Sequence, residues 1–436
     1  MRNPPPFMKA FDFIRPPFGS CPKCGVENVF GNLMISGNQH TRRCRACQHT
    51  QSFPLPPLNV SVIYLDQNIL SNMLLILDPA TPEQKLRNLK SQKHFEFYKK
   101  VFEKLHRLSK LHLLVCPHSS THHDESLVSA NGFKKLKRLY ELLSSGTSFL
   151  RSDEIRNIQL YAQAANYLSN PDGSMLELSK DDVMRGKLNA WRDWFQISLN
   201  CGEIDGLEES LCDGKCQKYN GFAEVWKGWR SETSRPFYEW YREERMALSK
   251  VLKDKLTLVF RRKLEIRFGQ REICLEDILP DDNEVLLFDL HKIFCDDQPD
   301  LAGFKHVWRF LESNALDMVP HVRISSLIYA TLAGRASRGQ KLPNRHPFND
   351  IDVISAYLPY CNAMYLDKEM EVILNEGPMR KELGYPTQIF SIAKKGDFLA
   401  FLDSVEANAP FGHIEKVREV YGNIWEDPFV DIFQTP

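Results

Sequence analysis

Two pairs of cysteines near the start of the chain constrain its folding more than any other feature of the sequence. The first pair lies in "CPKC" at 21–24 and the second in "CRAC" at 44–47, with a 19-residue spacer between them. Each Cys-x2-Cys turn can place two thiolates on one ion, and two such turns complete a tetrahedral zinc site. The short polar spacer cannot form a core, so the metal would supply much of the folding free energy. The spacing therefore predicts structural zinc bound by Cys21, Cys24, Cys44 and Cys47.

This segment resembles a zinc ribbon, and its second cysteine pair carries a basic surface. Arg42, Arg43 and Arg45 lie together in "HTRRCRACQH", and a guanidinium group suits the geometry of a phosphate. Two interpretations stay open: the arginines bind nucleic acid, or they solvate a small domain or contact a protein partner. A closed four-cysteine site leaves no open coordination position, so we expect no catalysis there.

Composition narrows the class of protein. The chain has 436 residues, of which 43% are hydrophobic, enough for a substantial core. Its 56 basic and 56 acidic residues cancel, so nucleic acid or membrane binding would require local patches. No run of 18 apolar residues predicts a membrane span, and the proline-rich start lacks the apolar core of a signal peptide. We therefore expect a cytoplasmic protein without membrane association, whose 11 cysteines bind metal or stay reduced.

The order of apolar and amphipathic segments predicts two domains. Residues 1–57 comprise a proline-rich tail, the zinc ribbon and a stiff linker, "PLPPLN". Residues 58–436 alternate apolar strand-like segments with helical patterns, which is typical of an α/β fold with a parallel sheet flanked by helices. A large helical insertion is predicted at about 131–320.

Carboxylates lie where several of these strands and helices end or begin. Asp66 ends the first apolar strand in "VIYLDQN", and Glu125 lies in the helix after the second strand. Asp350 opens a later helix, with Asp352 as its competitor, and Asp367 ends another apolar strand. Carboxyl ends of parallel strands and the adjacent helix starts meet at one crevice. Gathered carboxylates repel one another, and a hard cation such as Mg²⁺ or Mn²⁺ would relieve that repulsion.

Each acid taken singly has a simpler explanation. Asp66, Asp350 and Asp367 can each cap a helix, and Glu125 can favour a helix start electrostatically. The ordered set, rather than any one member, predicts a shared metal site. Asn68 lies beside the first acid and is a candidate contact for substrate, or the cap of a turn.

The stretches "VIYLDQN", "LLVCPHSSTHHDES", "NDIDVISAYLPYCNAMYLD" and "TQIFSI" resemble those of the PIN-domain (PilT N-terminal) nucleases. The resemblance frames residues 60–392 but does not cover the helical middle. It implies a PIN-like sheet, catalytic and metal-binding roles for Asp66, Glu125, Asp350 and Asp367, and hydrolysis of RNA with Mg²⁺ or Mn²⁺. Some members of a similar bacterial branch serve in toxin or defence systems. Asn362 stands where such sequences carry a further Asp.

Two other functions stay open at this stage. An inactive PIN-like module that binds nucleic acid or protein is favoured by the amide at Asn362, and a structure-specific DNA nuclease would use the same acids. The residues themselves do not choose between RNA and DNA, and they set neither the biological role nor the oligomeric state.

The helical middle contains a basic segment at 256–272 and an aromatic one at 226–245. Together they could form a nucleic-acid track with bases stacked on aromatic rings. The interpretation that we favour is a helical cap with an aromatic core and solvated charges.

Overall fold

The computed structural model describes residues 14–91, 94–127, 133–171, 177–193, 207–295, 301–343 and 347–422. Across these ranges the protein is a mixed α/β fold that is mostly helical. It contains a four-stranded antiparallel sheet, a four-stranded parallel sheet and a short two-stranded sheet.

The antiparallel sheet comprises the first four strands, which pair in chain order. They are β1 (Arg15–Gly19), β2 (Phe30–Ser36), β3 (Gln39–Cys44) and β4 (Thr50–Pro54). The buried residues of its own core are Cys21, Phe30 and Cys44. A core this small does not hold a domain together without a metal or support from neighbouring parts of the chain.

The parallel sheet has the order β10-β9-β5-β6. Its members are β5 (Ser61–Leu65), β6 (Leu114–Val115), β9 (Ala363–Tyr365) and β10 (Gln388–Phe390). They arise from the four apolar segments that the sequence predicts as strands. Strand β5 pairs with β6 on one side and with β9 on the other, and both pairings are parallel.

The alternation of side chains in β5 explains why its whole sequence is apolar. Val62 and Tyr64 belong to the core on one face of the sheet, and Ile63 and Leu65 belong to the core on the other face. A strand buried on both faces needs apolar side chains at both alternating positions.

The helices cover both faces of this sheet. They are α1 (Gln67–Leu77), α2 (Glu83–Ser91), α3 (Phe95–Lys110), α4 (Ser120–Leu127), α5 (Phe133–Ser144), α6 (Ser152–Ser169), α7 (Leu207–Ser231), α8 (Phe237–Arg267), α9 (Leu275–Ile278), α10 (Asp282–Cys295), α11 (Leu301–Glu312), α12 (Pro320–Ser337), α13 (Pro347–Tyr357), α14 (Lys368–Leu374), α15 (Gly377–Leu383), α16 (Lys395–Ala407) and α17 (His413–Tyr421). Helices α1, α3, α5 and α16 pack on one face, and α6, α12 and α13 pack on the other.

The predicted helical insertion is mostly helical in its described part, but it also contains two short strands. These are β7 (Ser148–Phe149) and β8 (Met184–Arg185), which pair with each other. Ser148 also forms a parallel bridge with His118, just after β6, and Phe149 N–H donates to His118 O (2.8 Å). Part of the predicted insertion therefore extends the edge of the parallel sheet.

Helix α12 joins the insertion to the sheet. It packs on α7 and α8 of the insertion as well as on α13, and most of its residues are buried. A helix that is apolar on all sides is one that other elements surround. The insertion is therefore packed onto the sheet domain along the length of α12.

The antiparallel sheet with its four cysteines, called the ribbon below, is docked on the body of the protein through buried polar groups. The side-chain amide of Asn32 donates to Val420 O (2.6 Å) in α17 and to Pro16 O (2.8 Å), and its oxygen accepts from His40 Nε2 (2.6 Å). The segment "PLPPLN", predicted as a stiff linker, buries Leu55 and Leu58 in the main core. The connection between the two predicted domains is thus part of the packed structure.

Replacing Asn32 with Ala is expected to lower the free energy of unfolding by about 1–3 kcal/mol, because Val420 O and the His40 ring would lose buried partners. Chemical denaturation measures the change. Ser36→Ala, at the exposed end of the same strand, is the control. Equal stability of the two variants would contradict the assigned role of Asn32.

Candidate functional site

Asp66 and Asp367 lie at the same edge of the parallel sheet. Leu65 pairs with Tyr365 in adjacent parallel strands, and the N–H of Asp66 donates to Tyr365 O (2.9 Å). The chain leaves β5 toward β6 on one side and leaves β9 toward β10 on the other. Asp66 and Asp367 therefore follow the two strands at the point where the strand order reverses, which is where open α/β sheets bind ligands.

The two acids differ in what their side chains do. The carboxylate of Asp367 caps α14 by accepting a hydrogen bond from Met370 N–H (2.6 Å). Asp66 precedes α1 with extended backbone angles, yet its side chain makes no capping hydrogen bond to that helix. The cap explanation therefore applies to Asp367 and does not account for Asp66, which is half-buried at the strand end.

Tyr365 is a polar neighbour of Asp66 that the sequence analysis does not single out. Burial, together with Tyr98 and the Asp66 carboxylate, raises the pKa of Tyr365 well above its usual range. Tyr98 in turn accepts a hydrogen bond from Asn72 (3.3 Å), and Asn72 also donates to Asn68 Oδ1 (2.7 Å). Asn68 is exposed at the start of α1. The only local signal for Tyr365 is its place two residues before Asp367 in the apolar strand.

A buried histidine fixes α4 against the end of β5. Nε2–H of His122 donates to Leu65 O (2.8 Å), and Nδ1 accepts from Ser119 N–H (3.2 Å). Its ring stacks between Tyr64 and Tyr140, at 5.1 and 5.3 Å between centroids. Burial lowers the pKa of His122 to about 3. His122 is therefore a neutral structural residue beside Asp66.

The remaining predicted acids lie on helices next to this edge. Glu125 lies in α4, three residues after His122, and its side chain is outside the described part of the structure. Asp350 lies in the first turn of α13, and Asp352 follows it; both are half-buried. Asp352 adds to the effect of burial that raises the pKa of Tyr329 and Tyr357.

The insertion reaches the start of α13. Phe348, two residues before Asp350, packs edge-to-face on Phe222 of α7, with 4.6 Å between ring centroids. Helix α7 thus covers part of the first turn that carries Asp350.

Asn362 lies at the opposite edge of the sheet. It immediately precedes β9, where its Oδ1 accepts hydrogen bonds from Val62 N–H (2.9 Å) and Lys180 Nζ (2.7 Å). Val62 and Asp66 are four residues apart along a strand, which corresponds to about 13 Å. The amide of Asn362 therefore does not replace an acid at the edge that carries Asp66. It does not support the interpretation as an inactive module.

The described side chains contain one group of three or more potential metal ligands within 4.8 Å of one another, and it is the cysteine quartet. Asp66, Asp350, Asp352 and Asp367 form no such group in the described structure. The acids that are predicted to share a cation lie on elements at one edge of the sheet. No three of their described carboxylates come within 4.8 Å of one another.

The four predicted cysteines do come together. The Sγ atoms of Cys21 and Cys47 are 3.6 Å apart, and those of Cys24 and Cys44 are 3.8 Å apart. Zinc–sulfur bonds of about 2.3 Å in a tetrahedron place sulfurs about 3.8 Å apart. The N–H groups of Ala46 and Cys47 also point at Cys44 Sγ, at 3.3 and 3.4 Å. The quartet can therefore hold a structural metal ion such as zinc.

The protonation of these thiols fits a cation site. Burial opposes ionisation, but backbone and thiol hydrogen bonds lower the pKa of Cys21 to about 6. The Val26 backbone favours the Cys24 thiolate, yet burial and the neighbouring sulfurs outweigh it and raise the pKa of Cys24 to about 12. Ionisation of all four sulfurs in contact requires a cation between them.

Two of the three ribbon arginines hold the ribbon together. Arg42 donates to Pro17 O (2.8 Å) and Phe30 O (2.5 Å), and Arg45 donates to Ile14 O (2.6 Å) while lying over the Phe18 ring. Arg43 bonds only to the surface residue Gln48 (3.1 Å) among the contacts that the structure describes. The basic surface open to phosphate is thus smaller than the sequence predicts.

The basic and aromatic segments of the insertion follow the helical-cap interpretation. Arg262 pairs with Glu284 and Arg261 with Glu265, so their charges are compensated within the insertion. Trp226, Trp229 and Trp240 are buried in the core and cannot stack on bases.

No family model matches this chain, and neither the curated proteins nor the solved structures contain a match. Among the described helices, none combines the length and the apolar character needed to cross a membrane.

Purified protein is expected to contain one zinc ion per chain, and Cys44→Ser is expected to lose it because three thiolates leave the tetrahedron open. Elemental analysis of both proteins measures the metal. Cys295→Ser, in α10, is the control and should retain the ion. Metal-free wild-type protein, or zinc retained by Cys44→Ser, would overturn the assignment.

His122 is expected to make stability depend on pH. Its pKa is about 6.5 when unfolded and about 3 when folded, so the unfolded state takes up the proton first. The stabilising contribution is present above pH 6.5 and is lost as the pH falls toward 3. Between pH 6 and 5, His122→Gln should reduce the slope of unfolding free energy against pH by about 1.4 kcal/mol per unit. Denaturant titrations measure the slope. The exposed neighbour His123→Gln should leave it unchanged, and an unchanged slope in His122→Gln would refute the buried neutral state.

Proposed function

We propose that this protein is a nuclease that hydrolyses phosphodiester bonds with Mg²⁺ or Mn²⁺. One observation carries the proposal: Asp66 and Asp367 follow adjacent parallel strands at the reversal of strand order. Carboxylates that meet at such an edge can supply the oxygen ligands that Mg²⁺ or Mn²⁺ prefers.

The acids on the neighbouring helices extend this proposal. Helix α4 follows β6 and carries Glu125, and α13 precedes β9 and carries Asp350 in its first turn. In a parallel α/β fold both helix starts face the carboxyl edge. Asp66, Glu125, Asp350 and Asp367 are the proposed catalytic and metal-binding residues, with Asp352 as the alternative to Asp350. When bound, the cation would polarise a phosphate and stabilise its negative charge.

The residues around Asp66 have assignable roles in this scheme. The bond from Asp66 N–H to Tyr365 O and the bond from His122 to Leu65 O together fix the peptide unit between Leu65 and Asp66. Asn68 follows Asp66 by two residues, and its side-chain oxygen accepts a hydrogen bond from Asn72. It offers an exposed amide to the substrate. These contacts hold a carboxylate in a defined place, which a metal-dependent hydrolase requires.

RNA is the proposed substrate, on the basis of the resemblance to PIN-domain nucleases. The zinc ribbon adds Arg43 and a rigid surface for RNA or for a protein partner. A role in a toxin or defence system rests on the same resemblance.

A second function is favoured by two specific observations. No three of the described carboxylates lie within 4.8 Å of one another, and Asp367 is engaged as a helix cap. Both suit a binding module that has this fold and no activity. Such a module binds RNA without cleaving it, and Mn²⁺ does not raise its melting temperature.

The proposed nuclease should cleave labelled single-stranded RNA with Mn²⁺ or Mg²⁺ and not with EDTA. Asp66→Asn should lower the rate at least about 100-fold, because it removes a direct cation ligand. Gel electrophoresis of the products measures the rate. Glu369→Gln, an exposed acid in α14, is the control and should retain activity.

A DNA of the same sequence separates the alternatives. Preferential cleavage of DNA would reassign the substrate. Full activity in Asp66→Asn would exclude the proposed site, and tight binding without cleavage or Mn²⁺ stabilisation would favour the binding module.

A further inference from the structure

The end of the helical insertion exposes an unusual concentration of large apolar side chains. We call this surface the tip patch. Its members lie on the last turn of α8, on α9 with its flanking residues, and on the first turn of α10. They are 42–70% exposed, and they are Leu264, Phe268, Ile273, Leu275, Ile278, Leu279 and Val285.

Ion pairs make the tip patch one surface. Lys255 of α8 pairs with Asp281 (2.5 Å) and Glu284 (3.0 Å) at the start of α10, and Arg262 of α8 also pairs with Glu284. These contacts hold the end of α8 beside the start of α10. The apolar residues of the three elements are therefore neighbours in space.

The connection that carries α9 is also held in place. Asp277 accepts hydrogen bonds from Cys274 N–H (2.9 Å) and Arg271 (3.3 Å), and it lies 3.7 Å from Arg262. Because these polar contacts fix the backbone, Ile273, Leu275 and Ile278 are presented to the outside and do not fold back into the core.

The exposed area matches what an interface needs. A Leu, Ile or Phe that is two-thirds exposed presents on the order of 100 Å², so the seven residues present several hundred Å² together. The largest apolar patch of a typical monomer is about 300–600 Å², and each partner of a standard interface buries about 800 Å². The tip patch with its polar rim falls in the range of a dimer interface.

The charges around the tip patch indicate which partner fits. Three cations pair with three anions there: Lys255, Arg262 and Arg271 with Asp277, Asp281 and Glu284. The charges of these pairs compensate one another, so the pairs neither select an oppositely charged partner nor repel an identical surface. The whole chain is also neutral, so two copies approach without long-range repulsion.

We propose that the tip patch is the interface of a homodimer, in which the patches of two copies meet about a twofold axis. Such an interface uses the same residues on both chains. It lies on the insertion, and the proposal does not depend on nuclease activity.

Light scattering after size exclusion, at micromolar concentration, tests this proposal. The wild-type chain should elute with twice the 50.5 kDa mass of one chain. The double variant Phe268→Asp with Leu279→Asp should be monomeric, because it places carboxylates against carboxylates in the contact. Its circular dichroism and melting temperature should show that it is folded.

Phe411→Asp is the matched control. Phe411 is fully exposed at a different place, between α16 and α17, and its replacement should leave the dimer intact. A monomeric wild-type chain would overturn the proposal, and so would a dimer that survives in the folded double variant. A monomeric wild-type chain that binds lipid vesicles through Phe268 and Leu279 would assign the tip patch to a membrane surface instead.

Discussion

The central place of β5 is the constraint on which the rest of this structure depends. Its backbone pairs on both sides, and its side chains enter a separate core on each face. Displacing it would break two ladders and open both cores at once. The end of such a strand is a rigid platform, which is what Asp66 would require in its proposed role as a catalytic carboxylate. His122 extends this rigidity to α4 through Leu65 O.

The ribbon is packed against the body of the protein through a buried hydrogen bond to α17. Its own core is minimal, and its stability comes from the cysteine quartet on one side and from Asn32 on the other. Burial of His40 between these parts lowers the pKa of His40 to about 4, so the docking contact is made by a neutral ring. Arg42 and Arg45 serve the same packing. The ribbon therefore has a fixed position beside α17.

The helical insertion links two surfaces with different roles. At one end α7 packs against Phe348 and covers part of the first turn of α13, which carries Asp350. At the other end the tip patch faces outward. Helix α12 packs against the long helices of the insertion and against α13. If two chains associate through the tip patch, α7, α8 and α12 connect the dimer contact to the part of α7 that covers the first turn of α13.

Local spacing alone determined the cysteine quartet, the four strands of the parallel sheet and the place of Asp66 at a strand end. A Cys-x2-Cys turn and a short apolar run need only neighbouring residues to define them. Long-range packing decided the rest. It placed Asn362 at the edge away from Asp66 and used Arg42 and Arg45 to hold β1. It also buried Leu55 and Leu58 of the linker and the side chains of Trp226, Trp229 and Trp240. It also made Asp367 a helix cap and brought no three of the described carboxylates within 4.8 Å of one another. The distance between side chains on different helices depends on how those helices pack. Sequence spacing does not encode that distance.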